Sequence, residues 1–594
     1  MSVYLNIFER GGKIYERYID ENLDEQRRIV DDFKPSLFIA NPNTESKYKT
    51  IFGVSCVKKT FDSIKLANQS ARNSPMPLLG QEDCASQYIS DNYPGVINLV
   101  KYNNLVRVAN IDIEVPAPQF PSPNQSDHEI TSIAHYDSIL DKHTVFVVAT
   151  KSQKWLSKYS ILPQALLDKV EVIEYATEKE MLGRYLLFWR ENFPVIVTGY
   201  NTDGFDIPYL YNRYEKVFSK KVADKLSPWG LVKRKLVIQW PPGKEKTEAL
   251  ENELKEKNKY FYDVKLYGIE SLDWLALYKN FSFTPQPSYK LDAIGESEIG
   301  QQKIHFRHNF MEVYGKSEIK QSQIFEDSHP YEYYAYLKHL CKERMTLGAS
   351  PMSRKFIEIA EGDLLDTKRL MSDFKELQDC DISQELIDWL DEKAIQLAFQ
   401  MVTDYNVMDV ELVNKLDQHR GFINLSKSLA YYAKINFQTV FSPINTWDSI
   451  IFNSLRVDHK VIPKRVGGRK EAYIGGHVKE PIRGLKKMIA SFDLESLYPS
   501  IIRQLNISPE TFVMKQDFNG EIVEAIEAIV AEQPIYDTSE YSLSANGCSY
   551  EKSFVGTIPL EINKVFMERK EFKKLMFVHD KNVQHIKEVL KSRT

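Results

Sequence analysis

Cysteine is scarce in this chain, and its placement excludes the two structures that cysteines most often build. Five of the 594 residues are cysteine, and none forms a C-x-x-C pair. They stand at Cys56, Cys84, Cys341, Cys380 and Cys548. An odd and scattered set gives neither a zinc site nor a disulfide framework, and it fits a reducing cytosol.

Long apolar runs are also missing. The first residues, MSVYLNIFERGGKIYERYID, carry charges where a signal peptide needs an apolar stretch. No apolar run along the chain has the length that a membrane-spanning helix requires. We therefore expect a protein that works in the cytoplasm of the cell that makes it, without a membrane partner.

The chain has no excess of positive charge. Its formal net charge is −5, which taken alone argues against a nucleic-acid partner. Local clusters of positive charge matter more for binding a nucleic acid than the net charge of the chain does. One basic cluster comprises Lys460, Lys464, Arg465, Arg469 and Lys470, and a second comprises Arg569, Lys570, Lys573 and Lys574.

Length and periodicity predict a multidomain α/β and α+β protein. A chain of this length exceeds one hydrophobic core, and we expect about three or four domains. Strands are predicted at Leu105–Val115, Thr144–Thr150 and Pro194–Tyr200, interleaved with helices. Residues from about 305 to 400 have a helical pattern. Near its end one helical face carries Leu386, Leu390, Ala394, Leu397 and Met401.

Two carboxylates stand two residues apart on the first of these strands. Because side chains alternate along a strand, Asp112 and Glu114 share one face. Hard oxygen ligands that converge in this way can hold Mg²⁺ or Mn²⁺. A D-x-E pair is common by chance, so alone it is more often a solvated strand face.

Two further segments carry candidate ligands. In TGYNTDGFDIPYL, glycines permit sharp turns after a buried strand, and Asn201 and Asp206 follow. An ordinary Asn/Asp/Gly-rich turn has the same composition. In TDYNVMDVELV, Tyr405 and Asp409 are four apart and stack on one helical face, where a phenol beside a metal-bound carboxylate can orient water. A plain amphipathic helix is the alternative.

Taken together, D-x-E, N-x-x-x-F-D and Y-x-x-x-D resemble the three exonuclease motifs of DnaQ-like proofreading domains. The resemblance implies an RNase H-like domain with a two-metal site for Mg²⁺ or Mn²⁺. Its catalytic and metal-binding residues would be Asp112, Glu114, Asp206 and Asp409. Tyr405 would position the attacking water, and Asn201 would contact the DNA strand.

The segment SFDLESLYPSII closely resembles motif A of family B DNA polymerases. The preceding run MIASFDL is apolar, and we expect a strand that delivers Asp493 to its end. By resemblance Asp493 and the Leu494 carbonyl bind metal, and Ser496 and Leu497 contact the triphosphate. Tyr498 would lie under the incoming sugar.

Flanking segments extend this resemblance. Tyr473, Gly475 and Gly476 in AYIGGHV resemble the DNA-contacting Y-x-G-G segment, although a hairpin turn has the same composition. In IPLEINKVFMERKEFKKLMF a helix is predicted with Pro559 near its start. Arg569 and Lys573 on one face resemble the fingers cations that grip the triphosphate, and a solvated basic face is the alternative.

Nearly the whole chain resembles the family B polymerases of the T-even-type phages. The expected order is an N-terminal domain (1–106), the exonuclease (107–421) with a helical insertion near 305–395, and a return to the N-terminal domain (422–464). A partial palm (465–555) and partial fingers (556–594) follow. The separation of Asp206 from Asp409 is longer than this resemblance leads us to expect.

A second departure concerns the polymerase site. Downstream of Asp493 we find neither a K-x-x-x-N-S-x-Y-G helix nor a D-T-D turn, and one carboxylate cannot hold two metal ions. We therefore expect a second polypeptide to complete the polymerase. Primer–template DNA and dNTP would be its substrates, and a sliding clamp and replisome proteins would bind through the second chain. A stand-alone 3′→5′ exonuclease or a truncated polymerase product fits the same sequence.

Overall fold

A computed structural model describes most of the chain. The described residues are 2–74, 76–95, 97, 99–117, 119–151, 153–238, 241, 247–256, 260–303, 345–346, 353, 357, 382–463, 482–516, 520, 522–533, 535–536 and 540–591. Most of the predicted helical insertion lies outside them.

Strands and helices alternate along much of the described chain. The strands are β1 (Val3–Arg10), β2 (Lys13–Ile19), β3 (Glu25–Val30), β4 (Ser36–Ala40), β5 (Lys49–Thr50), β6 (Cys56–Thr60), β7 (Val108–Glu114), β8 (Ser132–Asp137), β9 (Lys142–Val148), β10 (Val170–Tyr175), β11 (Ile196–Thr198), β12 (Val232–Ile238), β13 (Tyr260–Leu266), β14 (Glu270–Ser271), β15 (Met345–Thr346), β16 (Ile382–Ser383), β17 (Lys460–Val461), β18 (Phe512–Lys515), β19 (Ser542–Leu543) and β20 (Cys548–Tyr550). The helices are α1 (Ile64–Asn73), α2 (Cys84–Asn92), α3 (Leu99–Tyr102), α4 (Gln164–Leu167), α5 (Glu178–Glu191), α6 (Asp206–Val217), α7 (Lys220–Ala223), α8 (Glu248–Glu256), α9 (Trp274–Phe281), α10 (Leu291–Ile299), α11 (Gln384–Arg420), α12 (Phe422–Ala433), α13 (Pro443–Val457), α14 (Leu497–Leu505), α15 (Ile522–Val530) and α16 (Thr557–Lys591).

The chain folds into two compact units. The first comprises residues 1–10, 14–30 and 93–443, and the second comprises 11–13, 31–92 and 444–594. Each unit is built from segments that are distant in sequence. The domain boundaries predicted at 106, 421, 464 and 555 stay predictions.

A six-stranded mixed sheet forms the centre of the first unit. Its order is β10-β9-β8-β7-β11-β14, with β8 antiparallel to both β9 and β7 and the other neighbours parallel. On one face, Ile111 and Ile113 of β7 pack into a core with Tyr185 and Trp189 of α5. The alternate residues of β7, including Asp112 and Glu114, therefore point to the opposite face.

Helix α11 covers that opposite face. Its Val407 and Val410 pack against Ala134 of β8 and against Val145 and Val147 of β9. The helix begins after Ser383, whose side chain accepts a hydrogen bond from the Leu386 amide, and ends at Gly421 in the left-handed conformation. The apolar face predicted from Leu386 to Met401 is buried, which confirms that part of the helical prediction.

A ladder of polar side chains fixes the rotation of α11. Gln396, Gln400 and Asp404 follow one another at four-residue intervals on this helix. Their side chains accept hydrogen bonds from the backbone amides of residues 154, 156 and 161 at 2.8–2.9 Å. Asp404 also accepts a hydrogen bond from the Trp155 indole at 2.9 Å. The residues that follow Asp404 are thereby held towards the sheet.

The N-terminal strands are attached to this unit by a buried arginine. Arg17 of β2 is fully buried, and its guanidinium donates hydrogen bonds to the carbonyls of Phe193, Pro194 and Gly268. It also pairs with Glu25 of β3 at 2.8 Å. One cation thus satisfies carbonyls from two separate loops of the sheet.

The second unit contains β4–β6, α1, α2, most of α13 and the segments from β17 onward. Strand β17 pairs with β5, so residues 460–461 join a segment that lies far upstream.

The strand predicted for MIASFDL is wrong: residues 482–496 have no regular structure, and Asp493 is exposed. A strand needs neighbours for its amides, and among the described residues none pairs with this run. No described helix has the length and apolarity to cross a membrane.

Replacing Arg17 with Met should lower the free energy of unfolding by about 3–5 kcal/mol, because the change leaves buried carbonyls and Glu25 without their cation. Urea unfolding measures the loss. The control is Arg27→Met, since Arg27 is exposed and lies 5.2 Å from the Phe193 ring centroid. It should cost about 1 kcal/mol or less. Equal losses of unfolding free energy in the two variants would contradict this role of Arg17.

Candidate metal centre

Three predicted carboxylates meet where β7 ends beneath α11. One carboxylate oxygen from each of Asp112, Glu114 and Asp409 lies within 4.8 Å of the others. Asp112 and Glu114 are half-buried, and Asp409 is buried. The pleat of β7 and the helical repeat of α11 thus bring together residues that are distant in the sequence.

Asp206 lies beside this cluster. It is the first residue of α6, it is buried, and its Oδ1 accepts a hydrogen bond from the Ile113 amide at 3.1 Å. Ile113 stands between the two β7 carboxylates. Burial, and then the charge of Asp112, raise the pKa of Asp206. Asp206 is not part of the group whose oxygens lie within 4.8 Å, but it is anchored to the strand that carries two of them.

Tyr405 and a lysine complete one side of the cluster. Lys303 Nζ donates a hydrogen bond to Asp409 Oδ2 and another to the Tyr405 hydroxyl at 2.8 Å, and it lies 4.9 Å from the Tyr405 ring centroid. Burial opposes the charge on Lys303, yet Asp409, Tyr405 and Asp112 raise its pKa overall. We did not predict Lys303, because a lone lysine has no periodicity or spacing that marks it.

A buried asparagine contacts the cluster from α11. Asn406 is fully buried, and its Nδ2 donates a hydrogen bond to Asp112 Oδ2 at 2.6 Å. Its Oδ1 accepts a hydrogen bond from Ser132 Oγ at 2.7 Å. We did not predict Asn406 either, although its position three residues before Asp409 on one helix was a usable signal.

The electrostatics of the cluster favour a bound cation. Burial, and then the negative charge of Asp409, raise the pKa of Asp112 to about 7. Burial also raises the pKa values of Glu114 and Asp409. Among the described residues, Asp409 Oδ1 is buried without a hydrogen-bond partner. Crowded carboxylates and a buried, unused oxygen fit a hard divalent ion such as Mg²⁺ or Mn²⁺.

The loop before Asp206 is held by a second acidic residue. Asp273 caps α9 through the Ala276 amide at 3.2 Å. It also accepts hydrogen bonds from the amides of Asn201 at 3.3 Å and Asp203 at 3.0 Å. Asn201 has a φ of 65°, a conformation that few residues other than glycine adopt readily. Asp273 therefore helps to fix the backbone that presents Asn201.

Aromatic side chains line the same loop. Phe120 is 82% exposed, and its ring centroid lies 5.1 Å from that of Phe205. The Tyr200 hydroxyl donates to the Tyr289 carbonyl at 2.7 Å. An exposed ring that packs on Phe205, the residue before Asp206, is suited to stacking against a base.

The predicted polymerase residues lie in the second unit. Asp493, Leu494, Leu497 and Tyr498 are exposed, and Ser496 precedes α14 with a φ of 51°. Arg569 Nη1 donates to Ser496 Oγ at 3.4 Å, so two predicted triphosphate contacts lie together. Helix α16 carries Lys573, 5.9 Å from the Phe577 ring centroid, and begins at Thr557, close to the predicted Pro559.

Some predicted polymerase residues are not placed. Tyr473, Gly475 and Gly476 lie outside the described residues. In the part of the chain that is described, Asp493 joins no group of three metal-ligating side chains.

Two family models match the chain in the regions that carry these residues. The model DNA polymerase family B, exonuclease domain, matches residues 84–294, and the model DNA polymerase family B matches residues 445–593. The chain belongs to the family B DNA polymerases. The first match contains Asp112, Glu114 and Asp206, and the second contains Asp493 and Arg569.

Individual relatives agree with the family. The chain is 36% identical to the DNA-directed DNA polymerase of Escherichia phage RB69 and 34% identical to that of Enterobacteria phage T4. Each alignment covers 99% of this chain and 55% of the relative. A DNA polymerase of Thermococcus gorgonarius is 25% identical over 69% of this chain and 38% of its own length. This family B chain thus spans about half the length of the phage polymerases that it matches.

Replacing Asp273 with Ala should loosen the Asn201 loop, because the Asn201 and Asp203 amides lose their acceptor. The loss should lower the free energy of local opening by about 1–2 kcal/mol, so hydrogen exchange of these amides should quicken about 5–30-fold. Mass spectrometry of peptides covering 199–206 measures the exchange. Asp224→Ala, which removes an acceptor of Lys220 and Tyr211, is the control and should leave these peptides unchanged. Unaltered exchange in Asp273→Ala would contradict the role of Asp273 in fixing the Asn201 loop.

Proposed function

We propose that this chain removes nucleotides from the 3′ end of DNA, as the proofreading exonuclease of a replicative DNA polymerase. The observation that carries the proposal is the carboxylate cluster of Asp112, Glu114 and Asp409, with Asp206 bonded to the strand between the first two. The sheet and α11 would form the RNase H-like domain that the sequence predicts.

The four carboxylates would hold two Mg²⁺ or Mn²⁺ ions, which lower the pKa of a water molecule and neutralise charge on the leaving 3′ oxygen. Tyr405 would orient the attacking water with its hydroxyl, which is already fixed by Lys303 at 2.8 Å. Lys303 would place a positive charge beside the phosphate that is attacked. Each of these side chains is held by the fold, so little ordering remains when DNA binds.

The substrate would enter beside the Asn201 loop. Asn201 would contact a phosphate or sugar of the strand, and the exposed Phe120 ring would stack on a base. A mispaired 3′ end frays more readily than a paired one, so it would reach this site more often. Hydrolysis would thereby add to the roughly 10–200-fold selection that a small steric difference gives during synthesis.

The double variant Asp112→Ala, Glu114→Ala should lose DNA degradation by about three orders of magnitude or more, because each thousandfold corresponds to roughly 4 kcal/mol of lost transition-state stabilisation. Release of nucleotides from a single-stranded oligonucleotide in Mg²⁺ measures the activity.

The control is the double variant Asp141→Ala, Glu171→Ala. It removes two carboxylates whose ion pairs with Lys169 and Lys142 lie on the surface of the same sheet. This control should retain wild-type degradation. Continued degradation by the variant that lacks Asp112 and Glu114 would refute the site assignment.

We also propose that Asp493 and the Leu494 carbonyl bind metal in a polymerase site that this chain builds in part. Ser496, Leu497, Tyr498, Arg569 and Lys573 would contact the dNTP, and Tyr473, Gly475 and Gly476 would contact the primer–template. The hydrogen bond between Arg569 and Ser496 supports this grouping. A second polypeptide would supply the remaining polymerase residues and the contacts to a sliding clamp and replisome proteins. We expect the assembly to work in the cytoplasm of an infected bacterium.

Co-expression with the adjacent reading frame tests the proposal that a second polypeptide completes the polymerase. Primer extension should require both chains and should be lost in Asp493→Ala, whereas degradation by that variant should persist. If no complex forms and degradation is unaltered by any candidate partner, the chain is a stand-alone exonuclease.

A further inference from the structure

We infer that Asn406 is a positioning residue that sets the orientation of Asp112 for cation binding, and that Ser132 holds Asn406 in place. The inference rests on the exonuclease function proposed above. It concerns Ser132, which lies outside the predicted motifs, and Asn406, which occupies an unspecified position of Y-x-x-x-D. Asn406 contacts a candidate metal ligand directly, and Ser132 contacts Asn406.

The orientation of the Asn406 amide follows from the chemistry of its two neighbours. A carboxylate that binds a cation is ionised and only accepts hydrogen bonds, so the side of Asn406 that faces Asp112 must then be its NH₂ group, as the Nδ2–Oδ2 contact has it. The carbonyl then faces Ser132, whose hydroxyl donates to it at 2.7 Å. Asn406 and Ser132 are at most 2% exposed, so water does not compete for the hydrogen bond between them.

This arrangement orients Asp112 and leaves it available to a cation. The hydrogen bond of 2.6 Å engages Asp112 Oδ2 and fixes the plane of the carboxylate. Asn406 leaves the other oxygen, Oδ1, unengaged, and one carboxylate oxygen of Asp112 lies within 4.8 Å of oxygens of Glu114 and Asp409. Because the amide is neutral, it satisfies the half-buried carboxylate without placing a positive charge that would repel a metal ion.

Ser132 also places these hydrogen bonds next to Glu114, the second candidate ligand on β7. In the antiparallel pairing of β7 with β8, Ser132 stands directly opposite Glu114. The path from Ser132 through Asn406 to Asp112 therefore joins β8, α11 and β7 at the level of the cluster. A shift of α11 along the sheet would break both hydrogen bonds.

Mn²⁺ binding to the full-length chain tests the inference without a measurement of activity. The loss of the free Mn²⁺ signal in electron paramagnetic resonance gives the affinity. Asn406→Leu should weaken Mn²⁺ binding about 10–100-fold, the range found when residues that support metal ligands are removed. Ser132→Ala should weaken it less, because Asn406 keeps its bond to Asp112.

The matched control is Asn212→Leu. Asn212 is a buried amide on α6 in the same unit, 7% exposed, and donates a hydrogen bond to the Pro123 carbonyl at 2.8 Å. Its loss should lower the thermal unfolding midpoint, as in Asn406→Leu, but leave the Mn²⁺ affinity within about twofold of the wild type. Equal weakening by the two leucine variants would show a structural effect and overturn the inference.

Asp112→Asn separates failure of this inference from failure of the proposed site. If Asp112→Asn binds Mn²⁺ as the wild type does, the metal lies elsewhere and the proposed function fails with it. If Asp112→Asn abolishes binding while Asn406→Leu binds like the wild type, only the positioning role is overturned. Should Asn406→Leu not fold, Ser132→Ala decides: unchanged Mn²⁺ affinity overturns the role.

Discussion

The crowding of negative charge at the end of β7 is the constraint on which the rest of the site depends. Three carboxylates converge where desolvation disfavours their ionised forms and raises the pKa of Asp112. Apolar packing on both faces of the sheet holds them there despite this repulsion. Lys303 compensates part of the charge on Asp409, and Asn406 satisfies Asp112 without adding charge. The arrangement is therefore prepared for a cation before any ion or DNA arrives.

Sequence periodicity predicted the parts of the site that lie on single elements. The two-residue repeat placed Asp112 and Glu114 on one face of a strand, and the helical repeat placed Tyr405 with Asp409. Periodicity does not show how one element packs on another. The contact of Asn406 with Asp112 arises only when α11 lies on the sheet. The contacts of Lys303 arise only when the segment after α10 meets α11, and periodicity within one element shows neither packing.

The wrong strand prediction near Asp493 has a related cause. The run MIASFDL has strand-like side chains, but a strand forms only where neighbouring backbone satisfies its amides and carbonyls. The described residues provide no such neighbour, and the run is exposed. By contrast, the face from Leu386 to Met401 was predictable, because a helix makes its own backbone hydrogen bonds and needs only an apolar surface to pack against.

The unbroken course of α11 has an evolutionary consequence. At 37 residues the helix is about 55 Å long, and Asp409 lies well inside it. Its rotation is set by Gln396, Gln400 and Asp404 against the loop of residues 154–161, after the point where the chain enters the helix. Gains or losses of sequence upstream of residue 382 would lengthen or shorten the approach without turning Asp409 away from its partners. The family could therefore vary in this stretch while the geometry of its reactive centre stays unchanged.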